Sequence, residues 1–167
     1  MNINVKKRNG RLVDFDVEKI NRSAERACEN LENVSASEIV LDAKIKLYDK
    51  VKTSEIDKSL ISSASSKIEK DPNYNYVAAR LLLNTIYKEV FGESVYSESF
   101  ELQYHKSFIV NLKKLVKEGI LDKKLTEEFD LKKLSEAIDT NRDLKWKYLG
   151  IQTIYDRYLL HIEGRRM

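Results

Sequence analysis

The chain is poor in the residues that break or staple a fold. It has one cysteine, one proline and five glycines in 167 residues. The lone Cys28 excludes a disulfide framework and any zinc site built on paired CxxC motifs. With Pro72 the only proline, long stretches lack helix breakers, and the chain reads as mostly helical. No run of about 18 apolar residues occurs, which excludes a helical membrane span. The first residues are polar and lack the apolar core of a signal peptide, so the expectation is a cytoplasmic protein. An excess of one charge is missing too: 30 basic residues face 27 acidic ones, a net charge of +3. That balance excludes a generally basic nucleic-acid surface, so any basic chemistry must be local. The two histidines, His105 and His161, lie far apart with no nucleophile motif beside them and read as packing or surface residues.

What is present begins with Val5-Lys6-Lys7-Arg8-Asn9-Gly10-Arg11-Leu12-Val13-Asp14-Phe15. Asn9-Gly10 predicts a two-residue hairpin turn, because both residues tolerate positive φ. Lys6, Lys7 and Arg8 lie on the arm before it, with Lys6 and Arg8 on one strand face and Lys7 on the other. Asp16 is placed to cap the helix that follows, and Lys19 lies in that helix's first turn, where the dipole disfavours a cation. A cation there is tolerable when an anion sits beside it. A basic hairpin folded over a helix N-terminus therefore reads as a phosphate cradle.

Four helices follow with short connections. The first runs from Val17 to about Leu31, with Ile20, Ala24, Ala27 and Cys28 on its apolar side, so Cys28 reads as core packing. Ser35 and Glu38 form a capping box that opens a second helix to about Tyr48, carrying Ile39, Val40, Ala43, Ile45 and Leu47. Val51-Lys52 is a short extended link. Thr53 or Ser54 is expected to cap a third helix reaching Lys70. After the turn at Asp71-Pro72-Asn73, a fourth helix spans about Tyr76 to Phe91 and stops at Gly92. Arg80, Asn84 and Lys88 form a polar stripe along it. The polar stretch from Gly92 to Ser99 is the expected boundary between residues 1–92 and 93–167. Beyond it lie a helix over Phe100 to Lys117, a helical stretch from Thr126 to Ile138 broken near Asp130, and a last helix from Trp146 to Ile162. The end, Gly164-Arg165-Arg166-Met167, shows no finishing element, and the apolar faces of this half imply a segment of a longer polypeptide.

Lys7-Arg8-Asn9-Gly10 followed by Val13, Phe15-Asp16 and Lys19-Ile20 resembles the opening of an ATP-cone, the regulatory domain at the start of many ribonucleotide reductase large subunits. Three further segments resemble the class I large subunit in order and spacing: Val51-Lys52-Thr53-Ser54-Glu55-Ile56, Tyr76-Val77-Ala78-Ala79-Arg80-Leu81-Leu82-Leu83, and the run Leu149 to Tyr158 that leads toward the catalytic barrel. The resemblance implies a mainly α fold: a small β-hairpin or sheet lid over a four-helix bundle at 1–92, then a helical segment leading to the barrel at 93–167. It implies an allosteric domain that binds ATP or dATP, with Mg2+, in an enzyme that reduces ribonucleotides for DNA synthesis. The implied partners are the rest of the large subunit, the radical-generating small subunit and further copies of itself, with no nucleic acid or membrane. Carried over by position, Lys7 and Arg8 match phosphate and base contacts, and Asp16, Lys19 and Ile20 line the adenine and phosphate pocket. Thr53, Ile56 and Asp57 match the start of the third helix. Lys88 matches a phosphate-binding cation, with Asn84 one turn before it. Some members carry histidine where this chain has Asp57, and a carboxylate beside a triphosphate is repulsive unless it faces the ribose or a metal-bound water.

Reduction in this family needs a thiyl radical and a redox-active cysteine pair, which one cysteine does not supply, so no catalytic residue is expected within these residues. Two rival readings stand beside the nucleotide sensor. One is a nucleic-acid-binding repressor with a zinc ribbon before its cone, which requires the missing CxxC pairs. The other is a helical protein-interaction segment whose cone has become degenerate.

Overall fold

The hairpin at the start of the chain forms, but with a different turn. In the computed structural model, which describes residues 4–44, 48–92 and 99–167, β1 (Asn4–Lys6) pairs antiparallel with β2 (Leu12–Asp14), Val5 opposite Val13. Lys7 N–H donates to the Arg11 carbonyl at 2.8 Å, and Gly10 N–H donates to the Lys7 carbonyl at 2.9 Å. Arg8 and Asn9 are therefore the central turn residues, and Gly10, at φ +85°, supplies the left-handed bulge. Asn9 does not adopt positive φ; its Oδ1 instead accepts from Arg11 N–H at 3.1 Å. This corrects the expected two-residue turn, and it moves Arg8 off the strand face that it was to share with Lys6. The extended link is a third strand: β3 (Val51–Lys52) pairs parallel with β1, giving the order β2-β1-β3.

Asp16 caps α1 (Val17–Cys28) by accepting from Glu18 N–H at 3.0 Å. The helix stops three residues short of Leu31, and Asn30 just beyond it turns left-handed. Ser35 caps α2 (Ala36–Lys44) by accepting from Glu38 N–H at 3.2 Å. Ile45 and Leu47, expected further along this helix, lie outside the described residues, as do residues 93–98 of the expected boundary. In α3 (Thr53–Ser65), Thr53 is already helical and Lys52 holds the cap position without a side-chain bond, so neither Thr53 nor Ser54 is the cap. The helix ends before Lys70 because Ser65 and Ser66 donate back to the carbonyls of Ser62 and Ser63, competing with the backbone ladder. α4 (Tyr74–Phe91) begins earlier than expected, anchored by Tyr74, whose buried phenol oxygen accepts from Ser35 N–H at 3.1 Å.

α4 is the central wall, packed against both α1 and α3. Ala24, Ala64, Ala78 and Ala79 are fully buried at its seams, where the small side chain lets helices approach closely. Ile20, Ile39, Val40, Leu60, Ile61, Val77, Leu81 and Leu82 fill the interior, and Val5 and Val51 bring the sheet into the same core. The fold is thus mainly α with a small sheet.

The second half comprises α5 (Phe100–Lys117), α6 (Lys124–Glu127), α7 (Leu131–Glu136), a 3-10 turn (Thr140–Lys145) and α8 (Tyr148–Arg157). The break near Asp130 is a cap: its carboxylate accepts from the N–H groups of Lys132 and Lys133. Tyr87, Phe91, Phe100 and Tyr104 form an aromatic cluster, and the Tyr87 and Tyr104 hydroxyls donate to one Asp143 oxygen at 2.7 and 3.0 Å. α8 lies along α4 with Ile151 buried between them. At its start the Trp146 ring rests on Gly150, where a Cβ would meet the indole at 3.2 Å. The last helix ends at Arg157, not Ile162. A second hairpin follows, β4 (His161–Ile162) and β5 (Arg165–Arg166), turned by Glu163 at φ 50° and Gly164 at φ 78°. That left-handed pair turns β4, where the sequence pattern predicts helix, back onto β5. Among the described residues, no helix is long and apolar enough to cross a membrane.

Candidate functional site

The turn that lifts Arg8 out of β1 aims its side chain across the sheet toward α3 and α4. Its guanidinium Nη2 donates to Asp57 Oδ2 at 3.3 Å, bridging 49 residues. The other Asp57 oxygen, Oδ1, accepts from Lys88 Nζ at 2.8 Å. The Asp57 side chain is 11% exposed, while Arg8 and Lys88 are 29% and 27% exposed. A carboxylate this buried is stable because two cations hold it. The cations remain partly open to solvent and within reach of an incoming anion.

Asp57 sits one turn into α3, beyond the first-turn N–H groups that no side chain caps. The partial positive charge of these amides and of the helix dipole has the same sign as the two cations. An anion at this end of α3 would meet oriented N–H groups, the Arg8 fork and the Lys88 ammonium together, a donor set suited to phosphate oxygens. The Asp57 carboxylate already takes one donor from each cation.

The remaining expected residues are placed as follows. Lys7 lies in the turn beside Arg8, with its backbone fixed by Arg11 and Gly10. Lys19 is 69% exposed and stands 3.6 Å from the Asp16 carboxylate, an ion pair across the first turn of α1. Asp16 therefore both caps the helix and offsets the misplaced cation. Ile20 and Ile56 are buried in the hydrophobic core beneath the sheet and α3. Thr53 opens α3. Asn84 does not join Lys88: its Nδ2 donates to Ser23 Oγ of α1 at 3.3 Å. Arg80 completes the stripe differently again, donating to the carbonyls of Ala27 and Glu29 at 3.1 and 2.6 Å and closing the C-terminal end of α1. Beside it, burial pushes the Cys28 thiol up to about 11, which keeps it protonated and unreactive at neutral pH.

Sequence reasoning missed Glu89. Its Oε1 lies 3.4 Å from Arg8 Nη1 and accepts from the Tyr155 hydroxyl at 3.0 Å; its Oε2 accepts from Arg166 Nη1 at 3.1 Å. The Arg166 guanidinium also stacks over the Tyr155 ring at 3.7 Å. Burial, reinforced by Glu89, pushes the Tyr155 phenol above its usual range, so it stays a donor. Nothing in the local pattern marks Glu89, since its partners come from the first turn, from α8 and from the last strand.

Residues 3–89 match the family model of the ATP cone domain. The chain belongs to the ATP-cone family. The Arg8–Asp57–Lys88 cluster thus lies wholly inside the cone. Similarity extends beyond the cone as well. The chain is 41% identical over 159 residues to a ribonucleoside-diphosphate reductase subunit alpha of Helicobacter pylori, covering 95% of this chain and 19% of that protein. It is 39% identical to the subunit alpha of Chlamydia trachomatis, over 85% of this chain and 14% of the relative. It is 32% identical to the ribonucleoside-diphosphate reductase 1 subunit alpha of Escherichia coli, over 95% of this chain and 20% of the relative. The chain spans at most about a fifth of the length of these curated relatives.

Proposed function

We propose that the cone binds ATP or dATP as an allosteric effector at the Arg8–Asp57–Lys88 cluster and that it sets the overall activity of a ribonucleoside-diphosphate reductase large subunit. The observation that carries this reading is the convergence of two cations from distant elements on the open end of α3, within a chain of the ATP-cone family. Arg8 and Lys88 hold the phosphates, Lys7 and Lys19 add positive charge at the rim, and the first turn of α3 from Thr53 supplies amides. Asp57 gives up both cations and turns to the ribose. In this reading Mg2+ enters with the nucleotide, on its own phosphates.

The partners in this reading are the rest of the large subunit, the radical-generating small subunit and further copies of the large subunit. ATP and dATP differ by one hydroxyl, and one hydroxyl contact supplies about 1–3 kcal/mol of discrimination. Moving an equilibrium from 1:99 to 99:1 takes about 5.5 kcal/mol. Several cones must therefore act together in an oligomer.

The test is a thermal shift of the chain with ATP and dATP, in which ligand at about 100 Kd adds about 2.7 kcal/mol of stability. Each charge-assisted bond lost in Arg8→Ala or Lys88→Ala should weaken binding by about 1.5–3 kcal/mol. One observation favours the alternative of a degenerate cone: Asp57 already pairs with both cations. No shift with either nucleotide at millimolar concentration, in the native chain and in Asp57→Asn alike, would select that alternative.

A further inference from the structure

Arg8 carries two carboxylates, and only one of them belongs to the nucleotide cluster. The second, Glu89, is 22% exposed and is also the anchor of the C-terminal hairpin. Three donors share it: Arg8 from the first turn, Tyr155 from α8 and Arg166 from β5. Arg8 and Tyr155 compete for the same oxygen, Oε1. Arg8 and Arg166 are like charges drawn to one carboxylate, so each weakens the other's hold. Around α4, three positive groups (Arg8, Lys88, Arg166) face two negative ones (Asp57, Glu89), and the unbalanced charge is shared through Arg8.

We infer that Glu89 is a positioning residue that couples the nucleotide cluster to the C-terminal hairpin: when Arg8 is drawn onto an anion, Glu89 passes wholly to Tyr155 and Arg166, and the hairpin docks more tightly on α4 and α8. The inference rests on the proposed nucleotide reading only for the identity of the anion; the sharing of Glu89 between Arg8 and Arg166 stands without it. Arg166 is well placed to report the change. Besides Glu89, its Nη2 donates to the Tyr155 carbonyl at 3.5 Å and its guanidinium covers the Tyr155 ring, so gaining more of Glu89 tightens the grip of β5 on α8. The effect is reciprocal. A docked Arg166 loosens Glu89's hold on Arg8 and leaves Arg8 freer for phosphate.

Hydrogen–deuterium exchange of the hairpin amides, including Met167 N–H, which donates to the Leu160 carbonyl, measures the coupling in the 167-residue chain. Arg8→Ala removes the competitor without any ligand, and it should slow hairpin exchange about fivefold or more, the low end of coupling between linked sites. Glu89→Gln should speed hairpin exchange and abolish the response to Arg8→Ala in the double variant. Saturating ATP should reproduce the slowing in the native chain and fail to do so in Glu89→Gln, with binding followed separately by calorimetry. An unchanged hairpin in Arg8→Ala, or a response that survives Glu89→Gln, overturns the coupling, as does bound ATP that leaves the hairpin unaltered. If ATP does not bind while Arg8→Ala still slows exchange through Glu89, the nucleotide reading fails and the coupling stands.

Discussion

The two halves of the chain treat apolar side chains in opposite ways. Through α4 most point inward, Leu12, Leu41 and Tyr48 being exposed, and the buried set includes residues from all four helices and two strands. From α5 onward, among the described residues, only Leu115, Leu131 and Ile151 are buried, while Leu102, Val110, Phe129, Leu134, Leu149 and Tyr158 are each more than 40% exposed. Leu149 and Tyr158 reach 75% and 71% exposure. The first half closes a core around itself. The second borrows one, through α8 on α4 and through the aromatic cluster that Tyr87 shares with α5. The sheet and four helices hold the Arg8–Asp57–Lys88 cluster, and the second half rests on them through α8 and the aromatic cluster.

Cutting the chain at the proposed boundary tests this contrast with the largest expected effect. Residues 1–92 should melt cooperatively alone, and 93–167 should show no cooperative transition by calorimetry. Single truncations sharpen it. Leu60→Ala, in the first core, should cost about 2–5 kcal/mol by chemical denaturation. Leu149→Ala, on the outer face of α8, should stay within about 0.5 kcal/mol. The join between the halves lies between these limits: Tyr87→Phe removes one of two hydroxyl donors to Asp143 and should cost on the order of 1–2 kcal/mol. The same join predicts a pH dependence. Burial first, then Asp143, raises the Tyr87 phenol well above its ordinary range. The folded state therefore keeps a proton that the unfolded state releases above a pH of about 10, so stability falls as pH rises beyond that point. Tyr87→Phe should reduce that alkaline slope by about 1.4 kcal/mol per pH unit, read from denaturation midpoints. The smallest effect belongs to an exposed pair. Lys70 donates to Glu38 at 2.8 Å, and this bond holds the Glu38 carboxyl below its ordinary value. The contribution is present above the ordinary carboxylate range and fades as pH falls through the lowered value, so Lys70→Met should lower stability slightly at neutral pH and leave it unchanged once Glu38 is protonated, read from denaturation midpoints across pH.

Much of the fold was legible because its signals are local. The caps at Asp16 and Ser35, the break at Asp130 and the bounds of α5 each depend on residues within a few positions. The misses were decided elsewhere. The first turn follows a side-chain bond from Asn9 to Arg11, β3 exists only because Val51 finds Val5, and the final hairpin depends on a non-glycine residue, Glu163, adopting a left-handed backbone. The site divides the same way. Arg8 and Lys88 were visible as cations on plausible faces, and the structure brings them together on Asp57. That Asn84 turns to Ser23, and that Glu89 meets Arg8 and also Arg166, 77 residues further on, leaves no periodic trace in the sequence.

The seat of Trp146 on Gly150 has a practical consequence. This is the chain's one indole, and it stands at the hinge between the 3-10 turn and α8, 39% exposed and resting on a helix with no side chain beneath it. Its emission therefore comes from a single place. Any shift of α8 against its entry turn changes how much water surrounds the ring, and with it the colour of the light. The unlabelled protein carries its own optical gauge of how the second half sits, and a methyl group at position 150 would nudge the ring outward and recalibrate it.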